Sequence, residues 1–106
     1  MKPVKPLMIS LALLAGATFG APAIAADGAE LYKTRTCFTC HGQDGKTPIM
    51  DAYPKIAGQS AAYTLQQMKD IKSGARANGM SAAMKGVMHL VNDDEMKALA
   101  DYIATM

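Results

Sequence analysis

Tryptophan is absent from this chain, and phenylalanine occurs twice, at Phe19 and Phe38. Aromatic residues make up 6% of the sequence, so stacked rings cannot supply the bulk of a core. Cysteine is equally scarce. Two thiols exclude a multi-bridge disulfide framework, and a four-ligand structural zinc site would consume both cysteines and both histidines unless a carboxylate replaced one. No stretch interleaves basic residues with aromatics, which argues against nucleic-acid binding. Alternating strand patterns are missing and no internal repeat is visible, so the class expected is all-α.

The first segment carries its own pattern. Lys2 and Lys5 precede an uncharged apolar run from Leu7 to Phe19, and the run ends in APAIAA, with Ala23 and Ala25 spaced as an A-x-A cleavage site. These are the three parts of a secretory signal peptide. The run is short against the about 20 residues of a membrane span. Residues 1–25 are therefore expected to be removed and residues 26–106 to form one domain. No cysteine stands at the leader's end, so lipid attachment there is not expected. Removal takes two lysines and no acid, leaving nine residues of each sign and a formally neutral domain. At about 80 residues the domain is near the size where a core alone is marginal. A disulfide, a metal or a large apolar cofactor would make up the deficit.

Three helical segments are legible. One follows Asp27 as cap and runs into Cys37. A second begins after Ser60, with Ala61, Leu65, Met68 and Ile71 on one stripe and Gly74 placed to end it. The third opens with Asn92 and Glu95 in capping-box spacing, then places Met96, Leu99, Ala100 and Ile103 on one face. The segment 41–59 reads as an ordered loop rich in Gly, Pro and Asp, and 73–86 as a second loop region with room for a short helical turn.

The chemistry concentrates in TCFTCHG, residues 36–42, which holds both cysteines and one of the two histidines. A redox C-x-x-C is expected between a strand and a helix, and no strand precedes it here. A plain disulfide leaves His41 without a role. Two cysteines separated by two residues and followed at once by histidine form the attachment signature of c-type haem. On one turn of helix both thiols reach the vinyl groups along one haem edge, and the next imidazole meets the iron perpendicular to the ring.

CFTCHG with QDG after it, YPKIAGQ, and the terminal NDDEMKALADYIATM resemble the small class I cytochromes c of bacteria, close to the cytochrome c-553 type and to single halves of the dihaem type. The resemblance covers Asp27 to Met106. It implies a class I cytochrome c fold, about three main helices wrapped around one covalently attached haem c, with Cys37 and Cys40 as thioether anchors and His41 as an axial iron ligand. It also implies that the Pro54 carbonyl accepts the His41 Nδ1–H, and that the first helix, through Gly28 and Tyr32, crosses the last at Leu99 and Tyr102.

The sixth ligand is less determined by the residues alone. Met80, Met84 and Met88 recur every four positions, with His89 beside the last. In the family the ligand methionine stands eight residues before the cap of the last helix, which is Met84 when counted from Asn92; Met80 is the second choice. Gly86 would then let the backbone approach the ring. Ile56, Tyr63, Leu65, Met68 and Val87 are expected in the pocket wall, and Arg76 and Asn78 near it, facing solvent or bonding a propionate or the methionine sulfur. The function implied is that of a monomeric periplasmic one-electron carrier, not an enzyme, docking transiently with redox proteins and neither binding nucleic acid nor inserting stably into a membrane. An electron-accepting subunit of a periplasmic dehydrogenase is the alternative. A haem enzyme or gas sensor with a displaceable sixth ligand is the reading from another class, and would need His89 as its distal group.

Overall fold

The computed structural model describes residues 2–4 and 26–106. The expected cleavage after Ala25 and the apolar run of the leader lie outside the described residues. Among the described residues all regular structure is helical: α1 (Gly28–Thr34), α2 (Cys37–His41), α3 (Ala61–Ser73), α4 (Ser81–Met88) and α5 (Asp93–Ala104). None is long and apolar enough to cross a membrane.

The helix ends follow from short polar side chains. Asp27 caps α1 by accepting the Ala29 and Glu30 N–H groups, and Ser60 caps α3 through the Tyr63 N–H. Asn92 and Glu95 close a full capping box on α5, each side chain accepting the other's backbone N–H. Each cap satisfies amides that have no partner inside the helix, worth about 1 kcal/mol. Gly74 ends α3 in the left-handed conformation.

Two expectations need correction. α1 does not run into Cys37: it stops at Thr34, and Thr36 takes φ 61°, the one positive φ outside glycine among the described residues. That residue turns the chain so that α2 starts in a new direction. The second correction concerns 73–86, read as loop. Ser81–Met88 is a regular helix. Ala82, Ala83, Met84 and Lys85 are good helix formers, and Met88 gains burial in the core.

α5 is the centre of the packing. It lies against α1 and α3; α3 also contacts α4, and α1 contacts α2. The buried core joins Leu31, Tyr32, Met68, Ile71, Met88, Val91, Met96, Leu99, Ala100 and Ile103. α1 crosses α5 at Gly28, where a Cβ would run into the Ala98 backbone and Tyr102. The Tyr32 and Tyr102 rings meet edge to face at 5.8 Å, a favoured aromatic geometry. The Tyr32 hydroxyl donates to the Gly42 carbonyl at 2.6 Å, tying α1 to the end of α2. Arg35 reaches across to Glu95 at 2.8 Å, so the corner before Cys37 is pinned to the start of α5.

Candidate functional site

This packing leaves a cavity of about 360 Å³ between α2 with its following loop on one side and α3, α4 and α5 on the other. Cys37, Cys40 and His41 all line it, as the spacing on one helical turn requires. Both thiols are free. Burial pushes the Cys37 thiol up to about 11, so it is protonated at neutral pH. A redox dithiol needs the opposite shift.

His41 is buried, and its Nδ1 lies 2.9 Å from the Pro54 carbonyl oxygen. A carbonyl only accepts, so Nδ1 carries the proton and the Nε2 lone pair is left for another partner. The loop that delivers Pro54 is held along its length. Ile49 N–H donates to Cys40, Ile56 and Ala57 N–H both donate to the Gly45 carbonyl, and Gly58 N–H donates to Ile103 in α5. The Asp44 carboxylate accepts the Lys46 and Thr47 N–H groups at 2.9 and 3.0 Å, and those bonds hold it below the usual carboxylate range. The ring is therefore oriented by an ordered segment with no regular secondary structure.

All three methionines of the series line the cavity, but their settings differ. Met80 caps α4 and is 46% exposed; Met84 is half-buried; Met88 is 2% exposed and belongs to the core. His89 is exposed and outside the lining. Ile56, Tyr63, Met68 and Val87 stand in the wall as expected, whereas Leu65 packs against the core instead. Gly86 is not among the lining residues. Arg76 and Asn78 both line the cavity, and Arg76 donates to the Gln67 side chain at 3.1 Å. Gln67 and Thr64 are lining residues that the sequence reading passed over. The available signal was a polar residue at Thr64 between Ala61 and Met68 on the apolar stripe of α3.

These residues fit a haem. Two thiols and an imidazole with a free Nε2 stand in one wall, and apolar side chains and thioethers line much of the rest, with one buried threonine hydroxyl, Thr64 Oγ1, left without a hydrogen bond. Thioether and imidazole are both established axial donors to haem iron.

Comparison with known proteins agrees with the geometry. The cytochrome c family model matches residues 25–106. The chain is 34% identical to cytochrome c-553 of Nitratidesulfovibrio vulgaris over 97% of its own length and 100% of that protein's. It is 37% identical to cytochrome c4 of Pseudomonas aeruginosa and 32% identical to the thiosulfate dehydrogenase electron acceptor of Stutzerimonas stutzeri, covering 47% and 50% of those proteins. It thus spans the whole of the first relative and about half the length of the other two. The chain belongs to the cytochrome c family, with the all-helical class I fold and haem c as its covalently bound cofactor.

Proposed function

We propose that the chain is an exported periplasmic one-electron carrier in which Cys37 and Cys40 would form the haem thioethers and His41 and Met84 would supply the protein ligands to its iron. Bound haem supplies a ferric/ferrous couple. The observation that carries the reading is the placement of Cys37, Cys40 and His41 in one wall of a cavity whose α4 wall presents Met84. Pro54 fixes the imidazole tautomer, and an oriented ligand needs little rearrangement between oxidation states. Met88 is committed to the core and Met80 to the rim, which supports Met84 as the thioether donor. A methionine opposite histidine favours the ferrous state and raises the potential.

The ferric protein is expected to show the weak near-infrared-edge band of a methionine–iron bond. Met84→Ala should abolish it, while Met80→Ala and Met88→Ala retain it. Loss of the band in Met80→Ala with retention in Met84→Ala would move the ligand one turn along α4. The ferrous protein should resist carbon monoxide. Ready binding would favour a sensor or enzyme, although His89 is outside the cavity and no other histidine is available as a distal acid–base group.

A second reading has one relative in its favour. The Stutzerimonas stutzeri protein accepts electrons from thiosulfate dehydrogenase, and a dedicated electron-accepting role would use the same haem site. In either role the chain works as a monomer through small, transient contacts with redox proteins.

A further inference from the structure

Residues 26–106 are formally neutral, but a neutral molecule carries a field when its charges are sorted in space. Here the sorting follows the elements. Residues 61–91, which hold α3, α4 and the loop between them, carry Lys69, Lys72, Arg76 and Lys85 against Asp70 alone, a net +3. Residues 27–35 and 92–106, which hold α1 and α5, carry six acids against Lys33, Arg35 and Lys97, a net −3. The stretch between, 36–60, balances Asp44 and Asp51 with Lys46 and Lys55.

Packing keeps the two groups apart. α1 touches neither α3 nor α4, while α5 packs against both α1 and α3. α5 turns a different face to each side. Leu99 and Ile103 line the cavity, whereas Asp94, Ala98, Asp101 and Thr105 line a separate groove with Asp27, the cap of α1. At about 100° per residue the two sets stand roughly 150° apart around the helix. The cavity wall holds Lys55 and Arg76 and no carboxylate side chain. The Lys85 amine reaches back to Gly74 at the end of α3, close in sequence to Arg76. Tyr63 and Met80 stand in the same wall, 52% and 46% exposed, so the cationic opening also has an apolar rim to cover.

We propose that the α3–α4 side of the cavity opening is the docking surface for a redox protein with an acidic face. The acids of α1 and α5 add to the effect by turning the molecule so that the cationic side arrives first. Charge arranged in this way raises the encounter rate more than the affinity, which suits a contact that must also dissociate. Anchoring to an anionic membrane takes a cluster of about 4–8 basic residues. Four cations with an acid among them, around a rim that includes Tyr63 and Met80, fit a small protein interface instead. The purpose of the surface rests on the carrier reading; its location rests on the charge arrangement alone.

The test uses the isotope-labelled ferrous holoprotein with poly-L-glutamate as the probe. At low salt, amide shifts should concentrate in residues 61–91 and at Lys55, and should vanish in about 0.5 M salt, where exposed charges are screened. Lys69→Glu with Lys85→Gln brings residues 61–91 to zero net charge and should abolish the shifts. Lys33→Glu with Lys97→Gln changes the total by the same amount on the α1 and α5 side and should leave them in place. Oxidation by hexacyanoferrate(III) should slow about tenfold from low to high salt in the natural protein, and lose that dependence only in the first double variant. No response to poly-L-glutamate, shifts spread evenly over α1 and α5, or equal loss in both double variants would overturn the proposal. So would pelleting with anionic phospholipid vesicles in place of a response to poly-L-glutamate, which would make the surface a membrane contact. Docking as expected by a holoprotein without a reversible ferric/ferrous couple would support the surface and end the carrier reading, so the two failures are separable.

Discussion

Thr36 is the residue at which local preference and the needs of the site conflict. Its φ of 61° places a β-branched side chain in the left-handed region, where L-residues pay about 1–2 kcal/mol and asparagine is better tolerated. The strain turns the chain between α1 and α2 so that Cys37, Cys40 and His41 enter one wall of the cavity. Thr36→Asn should therefore raise the stability of the holoprotein by about 1 kcal/mol, read as a higher urea midpoint at unchanged slope, with the haem spectrum unaltered. A lower midpoint would mean that the threonine side chain makes a compensating contact. Neither this turn nor the unpaired Thr64 hydroxyl was legible in advance. A backbone angle and an unpaired hydroxyl depend on surroundings, whereas the C-x-x-C-H spacing is local and was readable from seven residues.

Among the elements, α1, α3 and α5 were legible because each begins with a capping side chain, Asp27, Ser60 and Asn92. α4 was not, because its N-cap is Met80, which makes no side-chain cap bond. Its helical state owes more to burying Met88 against the core than to a terminal signal. Glu95 shows an end signal serving a second purpose. It closes the α5 capping box and receives Arg35 from the corner before Cys37. The Asn92 N–H and then the Arg35 guanidinium hold its carboxyl below the usual range. A carboxyl whose folded value is depressed contributes stability that is present above its unfolded value and lost as pH falls through the folded one. Urea midpoints should thus decline on acidification through the carboxylate range. Glu95→Gln, which keeps an acceptor for the Asn92 N–H but does not titrate, should show a shallower decline. Equal slopes for the two proteins would place the acid sensitivity elsewhere.

For the whole molecule, cofactor and core are one structure. Six of the ten core residues, Met68, Ile71, Met88, Val91, Leu99 and Ile103, also line the cavity. With no tryptophan and Phe38 on the surface, little else is available to fill it. At about 24 cal/mol per Å³, emptying 360 Å³ would cost at most roughly 9 kcal/mol, and water entering through the open side would lower that figure. A typical domain has about 5–15 kcal/mol of stability in all, and one this small stands toward the lower end. The absence of large aromatics, first noticed as a deficit, is thus the counterpart of a cavity that the haem completes. A Cys37→Ala, Cys40→Ala chain isolated without haem should lose its cooperative thermal transition and bind a hydrophobic dye, while its helices persist in part. Met84→Ala, which leaves both thioether anchors in place, should still melt cooperatively at a reduced temperature. The contrast separates filling the core from ligating the iron. A haem-free chain that melts cooperatively within a few degrees of the holoprotein would show that the helices close on themselves, and that the cavity collapses at little cost.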